Sequence, residues 1–374
     1  MKKALLMDEK EATLALMMIR GLGPKRFFKL KDFYGSALNV WQKATRDSLL
    51  SLVPDSVSMG IQNGPDVARL KDLRRKIKEN NFWLLFYNDP EYPQLLLNIS
   101  DPPVVLFGVG QKEAISKEAV AIVGSRKAST YGRKVCRKIA EALSAHGISV
   151  VSGLAIGIDA CAHQAALDAG GQTVAVKGCG LDVEYPLRNV SLSRKIAERG
   201  AVISEFFPGT VAEPGNFPAR NRIISGLSLG VVVIEAGLRS GSLITAYLAL
   251  EQGREVMAIP GSVFSYGSRG CHRLIKEGAQ LVESPQDVMD ALNMPWLQQK
   301  GQPGSSLDEG FSEQDLSSDA AIVVDKLEAY PQHIDEISIR CNMPVAAVAS
   351  ILLELEMKDL VASHGSGMYS LNEK

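Results

Sequence analysis

Residues 119–145 read AVAIVGSRKASTYGRKVCRKIAEALSA. An apolar run (Val120, Ala121, Ile122, Val123) stops at Gly124-Ser125-Arg126, and beyond it Tyr131, Val135, Ile139 and Leu143 recur at a spacing of four. The first pattern is that of a strand buried on both faces, the second that of an amphipathic helix. Together they predict the strand–turn–helix opening of a doubly wound α/β domain, in which strand end and helix N-terminus form an anion site. Six basic residues (Arg126, Lys127, Arg133, Lys134, Arg137, Lys138) and no acidic one lie between Arg126 and Lys138. A phosphate-bearing ligand is the leading expectation.

The same alternation continues downstream. Strands are expected at Val120–Val123, Ser149–Val151, Thr173–Val176, Ala201–Ile203, Val231–Ile234, Glu255–Ile259 and Gln280–Val282, with helices or glycine turns between most of them. Such units joined by right-handed crossovers give a Rossmann-like, mostly parallel sheet covered on both faces. Upstream, Phe82–Tyr87 and Val104–Phe107 read as two strands padding the edge of this domain. Residues 8–53 read as short helices, and Arg20–Phe28 (RGLGPKRFF) carries a helix–hairpin–helix signature. Its glycine turn either offers N–H groups to a phosphate or serves packing alone, and both readings stay open. Leu52–Asp66 is loop-like, and a charged helix follows at Val67–Asn80.

Residues 297–319 are polar and Gly/Ser-rich, the composition of a flexible linker. Beyond them, helices at Ala321–Leu327, His333–Ile339 and Pro344–Met357, then a hairpin at Leu360–Leu371, form a winged-helix pattern. The expected division is a helical domain at 1–78, a core at 79–296, the linker at 297–319 and the winged helix at 320–374.

Charge is distributed unevenly along the 374 residues. The formal net charge is −1, yet residues 297–374 hold five Lys/Arg against thirteen Asp/Glu, net −8, which leaves +7 for residues 1–296. The amino-terminal four-fifths can attract a polyanion and the tail repels one. The presumed recognition helix (PVAAVASILLELEM) has no Lys or Arg and two Glu, whereas a helix in a major groove needs donors and positive charge. Protein docking or a structural role is the favoured reading of that module. Five scattered cysteines form no CxxC pair, so neither a zinc ribbon nor a redox motif is supported. No signal core follows Met1, and no apolar run approaches the ~20 residues of a membrane helix. A cytoplasmic location, away from membranes, is expected.

Ligands of an open parallel sheet gather beyond the carboxyl ends of its strands. Here those ends carry Gly124-Ser125-Arg126, Ser152-Gly153, Lys177-Gly178, Ser204-Glu205, Arg239-Ser240-Gly241-Ser242 and Pro260-Gly261-Ser262. Small residues expose backbone N–H groups, hydroxyls donate to phosphate, and guanidinium groups bind it bidentately. Between the fourth and fifth strands, Phe217-Pro218-Ala219-Arg220-Asn221-Arg222 sets phosphate anchors beside a base-stacking ring. Arg126, Arg220 and Arg239 are the main candidate anchors; Lys177 and Arg188 could extend the track. For each, the alternative is a solvated charge or a structural ion pair.

Enzyme readings lack their fingerprints. Neither GxGxxG after the first strand nor GxxxxGK[ST] occurs, so a dinucleotide cofactor or P-loop nucleotide hydrolysis lacks its fingerprint; no cofactor and no metal are expected. Ser152, Asp159 and His163 do not form a nucleophile elbow, and Asp159 is better placed in a first helical turn with His163 packed behind it. Glu235 sits where a nucleotide-hydrolysing enzyme would want a carboxylate; partnership with a nearby arginine is the preferred reading.

The motifs AIVGSR (121–126), SGLAIGIDACAH (152–163), GLDVEYP (180–186), SEFFPGT (204–210), GNFPARNRIISGLSLGVVVIEAGLRSGSLITA (215–246) and EVMAIPGSV (255–263), in this order, resemble the DprA/Smf family of DNA-processing proteins. The resemblance spans residues 80–295, and the flanking helical and winged-helix modules are similar to the family's architecture. It implies a non-enzymatic binder of single-stranded DNA that protects incoming strands in natural transformation, loads the RecA recombinase, and works as a homodimer. The family's GSR site falls on Gly124, Ser125 and Arg126, its FPxRNR stretch on Phe217, Pro218, Arg220, Asn221 and Arg222, and its RSGS helix start on Arg239, Ser240, Gly241 and Ser242. Members often carry a lysine near the YP turn, where this chain has Leu187 and Arg188, and an apolar residue where it has Lys177. The implied dimer surface falls near Gly270–Ile275. Two other readings are weighed: a Rossmann-like phosphoribohydrolase, whose PGGxGTxxE loop is replaced here by EAGLRSGSLIT, and a transcription factor acting through the winged helix, which the acidic tail opposes.

Overall fold

In the computed structural model, which describes residues 8–293, 318–327, 331–357 and 360–371, the chain divides into two compact units, Met1–Lys300 and Gly301–Lys374. The first unit begins with six helices: α1 (Glu9–Met17), α2 (Pro24–Tyr34), α3 (Ala37–Lys43), α4 (Arg46–Leu50), α5 (Asp55–Gln62) and α6 (Val67–Glu79). Leu16, Phe27, Leu30, Val40, Leu49 and Ile61 form their shared core. Helix α5 replaces the loop expected over 52–66. Pro54 precedes its first turn, and Gly60 tolerates a close approach, since a Cβ there would lie 2.7 Å from Ile19 Cγ2.

The sheet is built from β1 (Trp83–Phe86), β2 (Val105–Gly110), β3 (Ala119–Val123), β4 (Ser149–Ser152), β5 (Thr173–Val176), β6 (Ala201–Ser204), β7 (Gly230–Val233), β8 (Glu255–Ala258) and β9 (Gln280–Leu281). Its order is β1-β2-β6-β5-β4-β3-β7-β8-β9. Strands β3 to β9 run parallel, as their patterning demands. The two upstream strands do more than pad an edge: β1 pairs with β2 and β2 with β6, both antiparallel, so they widen the sheet to nine strands.

A short helix, α7 (Gln94–Leu97), joins β1 to β2. The crossovers are α8 (Thr130–Ala145), α9 (Ile158–Asp168), α10 (Val190–Arg199), α11 (Asn216–Gly226), α12 (Gly241–Glu251) and α13 (Arg269–Lys276), with α14 (Pro285–Ala291) after β9. Side chains alternate across the sheet. Ala121, Val123, Val176 and Val231 pack with Ile223, Ile224, Leu243 and Ala246 of α11 and α12. Val120, Ile122, Val150 and Val232 pack with Ile139, Leu143, Ala162 and Ala166 of α8 and α9. At roughly 1.5–3 kcal/mol for each fully buried Val, Leu or Ile, these layers outweigh any single polar contact of the site they support.

The second unit has α15 (Ser318–Lys326), β10 (Gln332–His333), α16 (Ile334–Cys341), α17 (Val345–Met357), β11 (Val361–Ser363) and β12 (Met368–Leu371), with sheet order β10-β12-β11. Val323, Ile337, Val348, Leu352 and Leu355 form its core. The two-residue β10 escapes sequence patterning because it is too short to show a period. Most of the expected linker lies outside the described residues; its last two, Ser318 and Asp319, begin α15. Among the described residues no single helix is long and apolar enough to cross a membrane.

Candidate nucleic-acid interface

The parallel connections leave β3 toward β4 and leave β7 toward β8, so a crevice opens beyond the carboxyl ends of these two neighbours. A cavity of about 770 Å³ lies there. Its walls are the 124–127 turn after β3, Phe217, Pro218, Arg220 and Asn221 of α11, and the 239–242 turn before α12, with Tyr185 and Tyr266 at its margins.

The turn after β3 is shaped by what passes beneath it. Ile158 N donates to Ser125 O at 3.1 Å, and Lys127 N to Ser125 Oγ at 3.1 Å. Gly157, at φ +91°, lets α9 start directly below: a Cβ there would stand 2.3 Å from Ser125 O. Arg126 is exposed, and its guanidinium carbon is 5.7 Å from the Phe217 ring centroid. The N-terminus of α8 is not the free anion site expected from sequence, because it already holds an anion. Ser129 N donates to Glu235 Oε2 at 2.9 Å, and Ser129 Oγ also donates to the Glu235 carboxylate. The missing side chain at Gly132 makes room, since a Cβ would be 2.4 Å from Glu235 Cδ. Glu235 therefore pairs with a helix cap rather than with an arginine, and Arg126 and Lys127 are the exposed positive charges of this turn.

Across the cavity, Ser240 caps α12, its Oγ accepting from Ser242 N at 3.4 Å and lying 2.8 Å from Ser242 Oγ. Gly241 is open: a Cβ would meet nothing within 4 Å. Asn221 Nδ2 donates to Gly241 O at 3.3 Å and ties this turn to α11. Arg239 is exposed, and neither it nor Arg126 has a carboxylate within ion-pair distance among the described residues. The one carboxylate that lines the cavity among the described residues, Asp159, accepts from Gly153 N and Ala155 N at 3.2 and 3.3 Å. Burial raises its pKa, against the pull of Arg220.

The other basic candidates behave differently. Arg220 lies at the cavity floor, 4% exposed, and donates through Nη1 to Gly153 O at 2.8 Å and to Val176 O. Burial pulls its pKa down to about 10, so it stays charged at neutral pH. Arg222, expected as a phosphate anchor, is instead buried against internal partners: its Nη2 grips both Glu205 carboxylate oxygens at 2.5 and 2.6 Å, and its Nε reaches Asp101 at 3.2 Å. At the helical spacing of α11 it faces the side opposite Phe217. Lys177 is likewise internal, its Nζ donating to Leu181 O and Val183 O at 3.1 and 2.6 Å, while burial lowers its pKa. It fills the place of an apolar residue by burying its stem and satisfying its ammonium on carbonyls. Arg188 is exposed but does not line the cavity.

Ser152, Asp159 and His163 are occupied separately. Ser152 Oγ donates to Ile122 O at 2.6 Å. His163 Nδ1 lies 2.7 Å from Thr173 Oγ1, whose single proton goes to Val150 O at 2.6 Å, so Nδ1 is the donor. No group of three or more His, Cys, Asp or Glu that could hold a metal occurs among the described residues. Two aromatic residues at the cavity escape the sequence reading. Tyr185 packs against Phe217 with centroids 5.5 Å apart, and Tyr266 fills the space left by Gly237. Tyr185 stands in the quoted GLDVEYP motif, but only the tertiary fold brings it to α11.

The family model for DNA recombination-mediator protein A matches residues 83–293, and the DprA winged helix domain model matches 309–367. Protein Smf of Escherichia coli is 40% identical over 310 residues, covering 80% of this chain and 82% of its own. The DNA processing protein DprA of Streptococcus pneumoniae is 51% identical over 201 residues, covering 54% of this chain and 71% of its own. The solved structure of DprA from S. pneumoniae aligns with a TM-score of 0.67 at 40% identity, over 76% of this chain and 98% of that one. A structure of DNA processing protein A from Helicobacter pylori, described in terms of its single-stranded DNA binding mode, aligns with a TM-score of 0.52 at 30% identity, over 57% of this chain and 96% of that one.

Proposed function

Because the chain belongs to the DNA recombination-mediator protein A family, we propose that it binds single-stranded DNA in the crevice between the β3 and β7 strand ends and leaves the strand chemically unaltered. The observation that carries this reading is the pairing of two exposed arginines, Arg126 and Arg239, across one open cavity in which the single lining carboxylate among the described residues is already committed to backbone N–H groups. Phosphate oxygens find guanidinium groups there, together with the hydroxyls of Ser125, Ser240 and Ser242. Phe217 and Tyr185 offer faces on which any base can stack, so base sequence is of little account.

The finer role follows the family: protection of incoming strands during natural transformation, delivery of the strand to the RecA recombinase, and action as a homodimer through the core in the cytoplasm. The phosphoribohydrolase alternative needs a carboxylate free to act on a nucleotide. Both oxygens of Glu235 instead accept hydrogen bonds from Ser129, which speaks for a non-enzymatic binder.

The test is a titration of labelled oligo-dT against the full chain and Arg126→Ala over a range of salt concentrations. Weakened binding by Arg126→Ala and a steep loss of affinity with salt are expected. Unchanged binding by Arg126→Ala would sink the crevice, and release of free base from nucleoside monophosphates would revive the enzyme reading.

A further inference from the structure

After β8 the chain turns through residues 260–268 (PGSVFSYGS), where Val263 is 70% exposed and Phe264 is 92% exposed. The turn is pinned on both sides. Ser265 N donates to Ser262 O at 3.0 Å and Phe264 N to Ser262 Oγ at 3.3 Å. Tyr131 Oη donates to Pro260 O at 2.9 Å, and His272 Nε2 lies 3.0 Å from Gly261 O. The phenylalanine thus stands in water on an ordered support, beside the exposed Val263, where covering its ring is favourable.

Its surroundings identify the cover. Two residues on, Tyr266 and Gly267 form part of the cavity wall, so Phe264 stands on the same turn, two residues from that wall. From Pro260 to Arg269 there is no acidic residue, and the Arg269 guanidinium lies 6.0 Å from the Tyr266 ring centroid. An exposed ring among serines, glycines and a cation suits a planar base on a charged backbone. We infer that Phe264, backed by Val263, is a stacking platform for a base of the strand as it leaves the crevice past Tyr266. The inference rests on the single-stranded DNA reading above.

The test compares the full chain with Phe264→Ala, Phe264→Trp and Arg126→Ala by fluorescence anisotropy at low salt. The probes are labelled oligo-dT and an abasic strand of equal length, which keeps the phosphates and lacks the bases. Phe264→Ala is expected to weaken oligo-dT binding about tenfold, the size of one lost base–aromatic stack, and to leave abasic binding unchanged. Phe264→Trp is expected to restore it. Equal losses on both probes, or no loss on oligo-dT, would overturn the platform. So would a shift in oligomeric state by light scattering with unchanged affinity, which would make the ring a contact between copies of the chain. If Arg126→Ala binds both probes as the unaltered chain does, the crevice itself fails; if it loses affinity while Phe264→Ala does not, only the platform fails.

Discussion

The two sides of the crevice use arginine in opposite ways. On the strand-end turns, Arg126 and Arg239 reach into water without a carboxylate partner among the described residues. On α11, Arg220 and Arg222 are 4% and 7% exposed and are spent on Gly153 O, Val176 O, Glu205 and Asp101. All four stand in motifs that read as anion anchors. The difference teaches that one basic motif can hold both arginines left open to a ligand and arginines that serve as internal struts, and that burial tells the two apart.

The sharpest break between the sides is expected at Arg222. Arg222→Ala leaves Glu205 buried without its partner, and removal of one member of a buried ion pair costs about 3–5 kcal/mol. Burial already raises the Glu205 pKa, so the orphaned carboxyl is expected to take up a proton and recover part of that loss. Denaturant titration is expected to show a large drop in midpoint, with the folded fraction binding oligo-dT normally. A stable Arg222→Ala with weakened binding would reverse the assignment.

Arg126→Ala is the mirror image. The exposed side chain supports little besides its contact with Phe217, so stability is expected to hold within about 0.5 kcal/mol. Loss of a charge-assisted contact is expected to weaken binding by about 1.5–3 kcal/mol. The slope of log affinity against log salt is expected to fall by about 0.7. Arg239→Ala follows the same pattern.

Proton uptake on the buried side offers a third comparison. Burial, then repulsion from Arg220, holds the His163 pKa at about 3 against an ordinary value of 6.5. Between those values the unfolded chain binds a proton that the folded chain refuses, so stability falls as pH drops below about 6.5 and continues to fall toward 3. The loss reaches about 2 kcal/mol at pH 5. His163→Leu is expected to flatten that part of the stability–pH curve. A curve with the same acid slope in His163→Leu would place the proton uptake elsewhere.

The middle of the sheet was legible because strands β3 to β7 are buried on both faces, and runs such as Val231–Ile234 admit few other readings. Turn chemistry was legible as well: Ser240-Gly241-Ser242 reads as a helix start, and α12 begins there. What one sequence could not reveal was the direction of a side chain in three dimensions. Arg220 and Arg222 are two apart on a helix whose two sides are both covered, and Lys177 follows a strand end that α11 closes over. Glu235 is separated from Ser129 by 106 positions, so no local pattern announces that the α8 N-terminus is already filled. Tyr185 and Tyr266 reach the cavity by the same kind of long-range packing.

Gly241 gives the smallest expected effect and the finest distinction between the two sides. Glycines packed against the buried side have no room, as at Gly153, where a Cβ would lie 2.7 Å from Arg220 Nη2. At Gly241 a Cβ meets nothing within 4 Å, and the residue opens α12 immediately after the Ser240 cap. Nothing inside the protein therefore requires glycine there. Alanine is the better helix former by up to about 1 kcal/mol, so Gly241→Ala is expected to leave folding stability unchanged or raise it by a few tenths of that amount. If a phosphate approaches the α12 N-terminus between Arg239 and Ser242, the added methyl group stands in its path. A loss of oligo-dT affinity of a fewfold is then expected, in a protein at least as stable as before. Equal affinity would move the phosphate off the helix terminus and onto the arginine side chains alone.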